Sequence, residues 1–276
     1  MTRTISGHPD QALARSCAKN DNDRMCLAAL AWSIHPRWRL VLLGNRDEFH
    51  ARPTSALAPW PDTPHGMVAG RDLRSGGTWI GIDARGRAAV VTNFRDPLLS
   101  QEGPSRGQLI AGYLAGEDCA AAKAATIAGV AGSYAPFNLL LVDPDDCMYV
   151  GNHPVARRRL AAGVHAMSNG PLDAPWPKSR NLAGALQAWL DTGDDDLGPL
   201  WAALADRQQA ADDALPDTGI GLERERWLSS AFITSAQYGT RASTVLAIDH
   251  DNRGFIVERR FGAEGVFTGE TRFQIG

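Results

Sequence analysis

Met25-Cys26-Leu27 opens an apolar, strand-like run, and the cluster Asn45-Arg46-Asp47-Glu48 answers it further along the chain. A cysteine that stands first in a mature chain carries two parts of one catalyst. Its thiol is a nucleophile, and its free α-amino group is a base able to activate that thiol. A nearby arginine favours the thiolate, and a carboxylate holds the ammonium form or orients the amine. Residues 1–24 and Met25 precede Cys26. While they are attached, the Cys26 nitrogen is an amide and cannot act as the base. Segment 1–24 is polar, lacks the apolar middle of a signal peptide, and contains Gly7, Pro9 and Asn20-Asp21-Asn22-Asp23. It reads as a disordered leader removed by processing, or as a start placed too early, with translation beginning at Met25.

In an extended strand Arg46 shares a face with Gly44 and Glu48, while Asn45 and Asp47 point the other way. Two arrangements are open. Either Arg46 and Glu48 line a site while Asp47 caps a turn, or the chain bends so that Asp47 is the partner. An isolated Arg–carboxylate pair more often pins a strand end. Two asparagines also stand at strand ends, Asn93 after Ala88-Ala89-Val90-Val91-Thr92 and Asn169 after His165-Ala166-Met167-Ser168. A side-chain amide there can donate to the oxyanion formed when a thiolate attacks a carbonyl. Alone, each reads as an Asx turn; with Cys26 and Arg46 they form a more specific set.

The intervening elements must bring these residues together. Apolar runs at 26–33 and 38–44 flank His35-Pro36-Arg37 in a hairpin pattern. Pro53, Pro59, Pro61 and Pro64 mark an irregular loop, and strands at 78–83 and 87–92 follow. Ser105 is placed to cap a helix over 106–115, and an alanine-rich helix covers 118–130. Strands return at 137–143, 147–151 and 164–168, with Pro144-Asp145-Asp146 turning between the first two. Helical spacing resumes over 178–190 and 197–209, a polar connection spans 211–223, and strands at 244–249, 255–261 and 266–273 close the chain. This order is not the alternation of a parallel βαβ sheet. It predicts an α+β sandwich of two mostly antiparallel sheets with helices outside, built as one domain over 26–276.

The 276 residues are 44% hydrophobic and 21% charged, and 28 basic against 31 acidic residues leave a net charge of −3. Nothing there favours nucleic acid or an anionic membrane, and Arg157-Arg158-Arg159 reads as a solvated turn or strand edge. Cys17, Cys26, Cys119 and Cys147 form neither a CxxC pair nor a metal-ligand spacing. A reducing, cytoplasmic setting is expected. No apolar stretch reaches the roughly 18 residues that span a bilayer.

The motifs MCL, GNRDEFHARP, AGRDLRSGGTWIGI, VTNFRDP, SRGQL, FNLLLVD, SNGPLDAPWPK and YGTRASTVLAID resemble the NRDE family, also called the Transport and Golgi organisation protein 2 family. The similarity runs in order from Met25 to the C-terminal strands. It implies a fold like that of N-terminal nucleophile hydrolases, a four-layer αββα sandwich with cysteine directly after the initiator methionine. A more distant similarity, to the choloylglycine hydrolase and penicillin V acylase group, implies roles. Cys26 matches the nucleophile, Arg46 the arginine beside it, Asn93 the first asparagine and Asn169 the second, which completes the oxyanion site. The acidic residue of that group lies further beyond the arginine than Asp47 or Glu48 does, so either carboxylate is open as partner of the amine. Arg241, in Tyr238-Gly239-Thr240-Arg241, matches a late arginine by position only.

Two functions follow. The first is a cysteine hydrolase cleaving a small-molecule, non-peptide amide, with no cofactor required. The second, implied by the resemblance, is a non-catalytic carrier or chaperone for a hydrophobic ligand such as haem or a lipid, with Trp60, Trp79 and Trp176 available to line an apolar pocket. Core packing is the commoner use of such tryptophans, and no histidine lies in a haem-attachment motif. A scaffolding role ranks last, because no heptad or repeat offers a partner surface. Loops 51–77 and 95–104 are expected to set ligand choice.

Overall fold

In β1 (Met25–Trp32) alternate side chains enter two different interiors: Ala28, Leu30 and Trp32 face one, Leu27, Ala29 and Ala31 the other. With both faces buried, the strand reads as a continuous apolar run instead of an apolar–polar alternation. β2 (Trp38–Phe49) returns antiparallel, placing Ala29 opposite Leu43 and Cys26 opposite Arg46. The computed structural model describes residues 25–61 and 63–276, so the leader expected over 1–24 lies outside the described residues.

β3 (Thr54–Pro59) and β4 (Val68–Asp72) lead into β5 (Ile80–Ile82) and β6 (Ala88–Asn93). Helices α1 (Gly107–Leu114) and α2 (Ala120–Val130) follow. Next come β7 (Phe137–Val142), β8 (Cys147–Asn152), β9 (Val155–Arg159) and β10 (Gly163–Met167). Helices α3 (Pro177–Thr192), α4 (Gly198–Leu204) and α5 (Leu222–Trp227) precede β11 (Tyr238–Asp249), β12 (Gly254–Phe261) and β13 (Phe267–Ile275).

One sheet has six strands in the order β10-β1-β2-β11-β12-β13, the other seven in the order β3 to β9, and every pairing is antiparallel. Leu30, Leu40 and Leu42 of the first sheet meet Ile80, Ile82 and Leu140 of the second in the central layer. Leu186 and Trp189 of α3 and Leu204 of α4 cover the first sheet's outer face. Ile110 and Tyr113 of α1 and Ile127 of α2 cover the second. The result is the expected α+β, four-layer αββα sandwich. Among the described residues no helix is long and apolar enough to cross a membrane.

Several boundaries differ from expectation for physical reasons. The proline-rich stretch carries β3 at the free edge of the seven-stranded sheet, where a missing N–H costs no ladder bond. The arginine run, by contrast, takes the strand-edge setting among its two expected ones: it lies in β9, the opposite edge, where charged side chains are solvated. Ser105 makes no side-chain cap; α1 begins at Gly107 after Arg106. Helix α4 stops at Leu204, well short of Gln209, and the polar connection ends in the short helix α5.

Candidate active site

β2 runs straight through Asn45-Arg46-Asp47-Glu48, so the cluster lies within a strand and its alternation separates the four side chains. Asn45 turns toward the helical layer, where Nδ2 donates to Leu204 O at 2.8 Å and Ala231 O at 2.7 Å, and Oδ1 accepts from Ser243 Oγ at 2.6 Å. It is a clamp between sheet and helices. Arg46 stacks its guanidinium 4.6 Å from the centre of the Trp79 ring. Its Nη2 lies 3.3 Å from Asp72 Oδ2 and 3.5 Å from Glu48 Oε2. Arg52 Nε meets the same two carboxylates at 2.5 Å and 3.4 Å, so two arginines and two carboxylates form a buried, charge-balanced group. Glu48 is further tied down by the Phe49 N–H, which donates to Oε1 at 2.9 Å.

Asp47 does not cap a turn. Its Oδ1 accepts from Thr240 Oγ1 on β11 at 2.6 Å, and its buried Oδ2 has no hydrogen-bond partner among the described residues. Burial raises its carboxyl to about 6, against the opposing pull of Lys178, the Thr240 hydrogen bond and Arg46. Cys26 keeps partial exposure where it borders the cleft. Desolvation first, and the Asp47 charge second, push its thiol from an ordinary 9.0 up to about 12, while Arg46 and the Asp47 backbone N–H pull it down. In this state the sulfur is a protonated thiol at neutral pH, and a base must relieve it of its proton before it can attack.

Lys178 was not singled out by the residue pattern as a site residue. It lies in the first turn of α3, an unfavourable place for a cation beside the helix dipole. It is 4% exposed, and its Nζ donates to Leu228 O at 2.9 Å. Burial and the Arg95 charge lower its ammonium to about 8, while Asp47 and Cys26 act in the other direction. The only sequence signal was its position closing the SNGPLDAPWPK motif.

Asn93 ends β6 and borders the same cleft as Cys26. Asn169 is fully buried behind it, donating Nδ2 to Asn93 O at 2.9 Å, while its own carbonyl accepts from the Arg95 N–H at 2.7 Å. The neighbouring Ser168 hydroxyl donates to Cys26 O at 3.0 Å. This segment therefore links the two sheets through Cys26 and Asn93, and Asn169 is not among the residues lining the cleft. Arg241 is also outside that lining: its Nη1 donates to Arg52 O and, at 3.2 Å, to Thr54 Oγ1.

The cleft has a volume of about 320 Å³ and brings together Cys26, Arg46, Asp47, Glu48 and Asn93. Both loops expected to set ligand choice contribute, with Arg52, Asp72 and Arg74 from one and Gln101 and Gly103 from the other. One wall depends on a close backbone approach: a Cβ on Gly77 would lie 2.4 Å from the Gly107 carbonyl carbon at the start of α1. Among the described residues no group of three His, Cys, Asp or Glu side chains is arranged to hold a metal ion.

Residues 25–263 match the family model described as Transport and Golgi organisation 2. The cattle Transport and Golgi organization protein 2 homolog (Bos taurus) is 31% identical over 265 residues, covering 85% of this chain and 92% of that protein. The human homolog is 29% identical over 90% of this chain and 97% of its own length. Among solved structures, a conjugated bile acid hydrolase from Clostridium perfringens superposes with a TM-score of 0.48 at 8% identity, over 90% of this chain and 92% of that one. An N-acylethanolamine-hydrolyzing acid amidase ortholog from Caenorhabditis elegans gives 0.46 at 10% identity, over 80% and 92%. On the extent of the family match and the identity to the cattle homolog, the chain belongs to the Transport and Golgi organisation 2 family.

Proposed function

We propose that this protein is an N-terminal cysteine hydrolase that cleaves a non-peptide carbon–nitrogen bond in a small polar amide. The observation that carries the reading is the meeting of Cys26, Asp47 and Asn93 in one cleft, with Arg46 beside the thiol. In a chain beginning at Cys26, the α-amine takes the thiol proton and the thiolate attacks the amide carbonyl. An unperturbed α-amine titrates near ~7.7–8.0, so it can exchange protons near neutrality. Asp47, with a carboxylate oxygen unpartnered among the described residues, receives the resulting ammonium. Asn93 donates to the oxyanion, and Asn169 holds Asn93 in place. Collapse of the tetrahedral intermediate breaks the C–N bond, the amine leaves with the ammonium proton, and water hydrolyses the thioester.

The cleft lining favours this over a carrier of haem or lipid. Arginines, carboxylates and hydroxyls dominate it. Of Trp60, Trp79 and Trp176 only Trp79 borders it, with its ring covered by Arg46. The test is a panel of small amides, including acylated amino acids, offered to a chain beginning at Cys26 and to its Cys26→Ala variant. Turnover confined to the cysteine form is expected. Absence of turnover across the panel, together with tight binding of haem or a fatty acyl chain by both forms, would replace the hydrolase with the carrier.

A further inference from the structure

Where β3 packs against β12 and β13, the open edge of the sandwich holds a second cavity of about 300 Å³. Arg46 and Trp79 border both this cavity and the Cys26 cleft, so their stack is the partition between the two. Three arginines, Arg46, Arg241 and Arg260, line this second cavity with one acidic residue, Glu258. Arg46 is offset by Glu48 and Asp72. Arg260 donates to Thr271 Oγ1 at 2.6 Å and stands 3.7 Å from Glu258 Oε1. Arg241 is different. Its contacts are with neutral oxygens, Phe49 O at 3.4 Å, Arg52 O and Thr54 Oγ1, and its buried Nε–H has no acceptor among the described residues.

Burial and then the Arg46 charge lower the Arg241 guanidinium, while Glu48 and Asp72, both already paired with Arg46 and Arg52, act in the other direction; a buried guanidinium N–H left without an acceptor is costly. Glu258 accepts from the Leu57 N–H through Oε1 at 2.9 Å and its buried Oε2 has no partner among the described residues; burial pushes its carboxyl upward, against the pull of Leu57, Arg260 and Arg46. We propose that this cavity is a binding site for a small oxyanion, a carboxylate or a phosphate group, held between Arg241 and Arg260. Paired guanidinium donors suit the two-oxygen edge that either group presents. The inference does not depend on hydrolysis at Cys26.

Calorimetric titration of the full chain at low ionic strength, with inorganic phosphate and separately with acetate, tests it. Saturable binding of one ion per chain is expected, weakened at least tenfold by Arg260→Gln and unchanged by Arg158→Gln on the opposite sheet edge. The preferred ion identifies the group recognised. Ser55→Glu, which introduces a carboxylate at the cavity wall, is expected to abolish binding without lowering the thermal midpoint of the anion-free protein, and it serves if Arg260→Gln fails to fold. Binding of neither ion, or equal weakening by Arg158→Gln and Arg260→Gln, overturns the assignment.

Discussion

A chain that begins at Cys26 should alkylate at this residue far faster than one that retains Met25. With Met25 in place the thiol titrates near about 12 instead of 9.0. At pH 8 that leaves a thiolate fraction of roughly 10⁻⁴, against roughly 10⁻¹ for an ordinary thiol. The more basic thiolate is intrinsically more nucleophilic, by roughly 20-fold over three units at a Brønsted slope near 0.45. The net expectation is alkylation about 50-fold slower than for an unperturbed cysteine. Releasing the α-amine places an ammonium beside the sulfur. A unit charge at roughly 4 Å contributes about 4 kcal/mol at an effective dielectric of 20, enough to cancel the three-unit rise. The acceleration should be greatest at and below about pH 8, where the amine is protonated, and should fade above it. The assay is timed iodoacetamide labelling at several pH values, with adducts mapped by mass spectrometry to the Cys26 peptide so that the exposed Cys119 does not contribute. Equal rates in the two chains, or an ordinary thiol rate with Met25 attached, would refute the reasoning.

Three further outcomes are expected. Hydrolysis should rise as pH climbs through about 6, where the raised Asp47 carboxyl ionises, and Asp47→Asn should remove that limb from the kcat/KM profile. Arg95 Nη1 and Glu225 Oε2 form a buried ion pair at 2.5 Å. Glu225→Ala, measured by urea unfolding, should therefore cost about 3–5 kcal/mol by stripping a buried arginine of this carboxylate. Gly77→Ala should push the start of α1 away from the cleft wall, because its Cβ would meet Gly107 at 2.4 Å and Gln108 N at 2.7 Å. A loss of about 1–3 kcal/mol in thermal unfolding is expected from such overpacking, accompanied by lower kcat/KM.

Central strands were legible because both faces of β1, β2 and β7 are buried, which writes an unbroken apolar run into the sequence. So were β10 and β13, the edges of the six-stranded sheet, but the edges of the seven-stranded sheet were not read as strands. β3 and β9 carry the prolines and arginines that an edge tolerates, and those residues elsewhere signal loops. Within the site, period-two alternation correctly separated Arg46 and Glu48 from Asn45 and Asp47. It could not show that Asp47 pairs with Thr240, since that contact depends on the register of β2 against β11, far away in sequence. Nor could it distinguish an asparagine at the cleft surface from one behind it: Asn93 and Asn169 both end strands, and the sandwich packing alone puts Asn169 beneath Asn93. Lys178 was hidden for the same reason, being a helix-start lysine whose burial beside Asp47 is purely tertiary.

The most direct measurement is intact mass and peptide mapping of a chain beginning at Cys26, acid-quenched during turnover of a cleavable amide. A covalent acyl adduct on Cys26, lost on further incubation and absent from Cys26→Ala, is the predicted result. Turnover that persists in Cys26→Ala, with no adduct on Cys26 in the parent chain, would contradict the assignment of Cys26 as nucleophile.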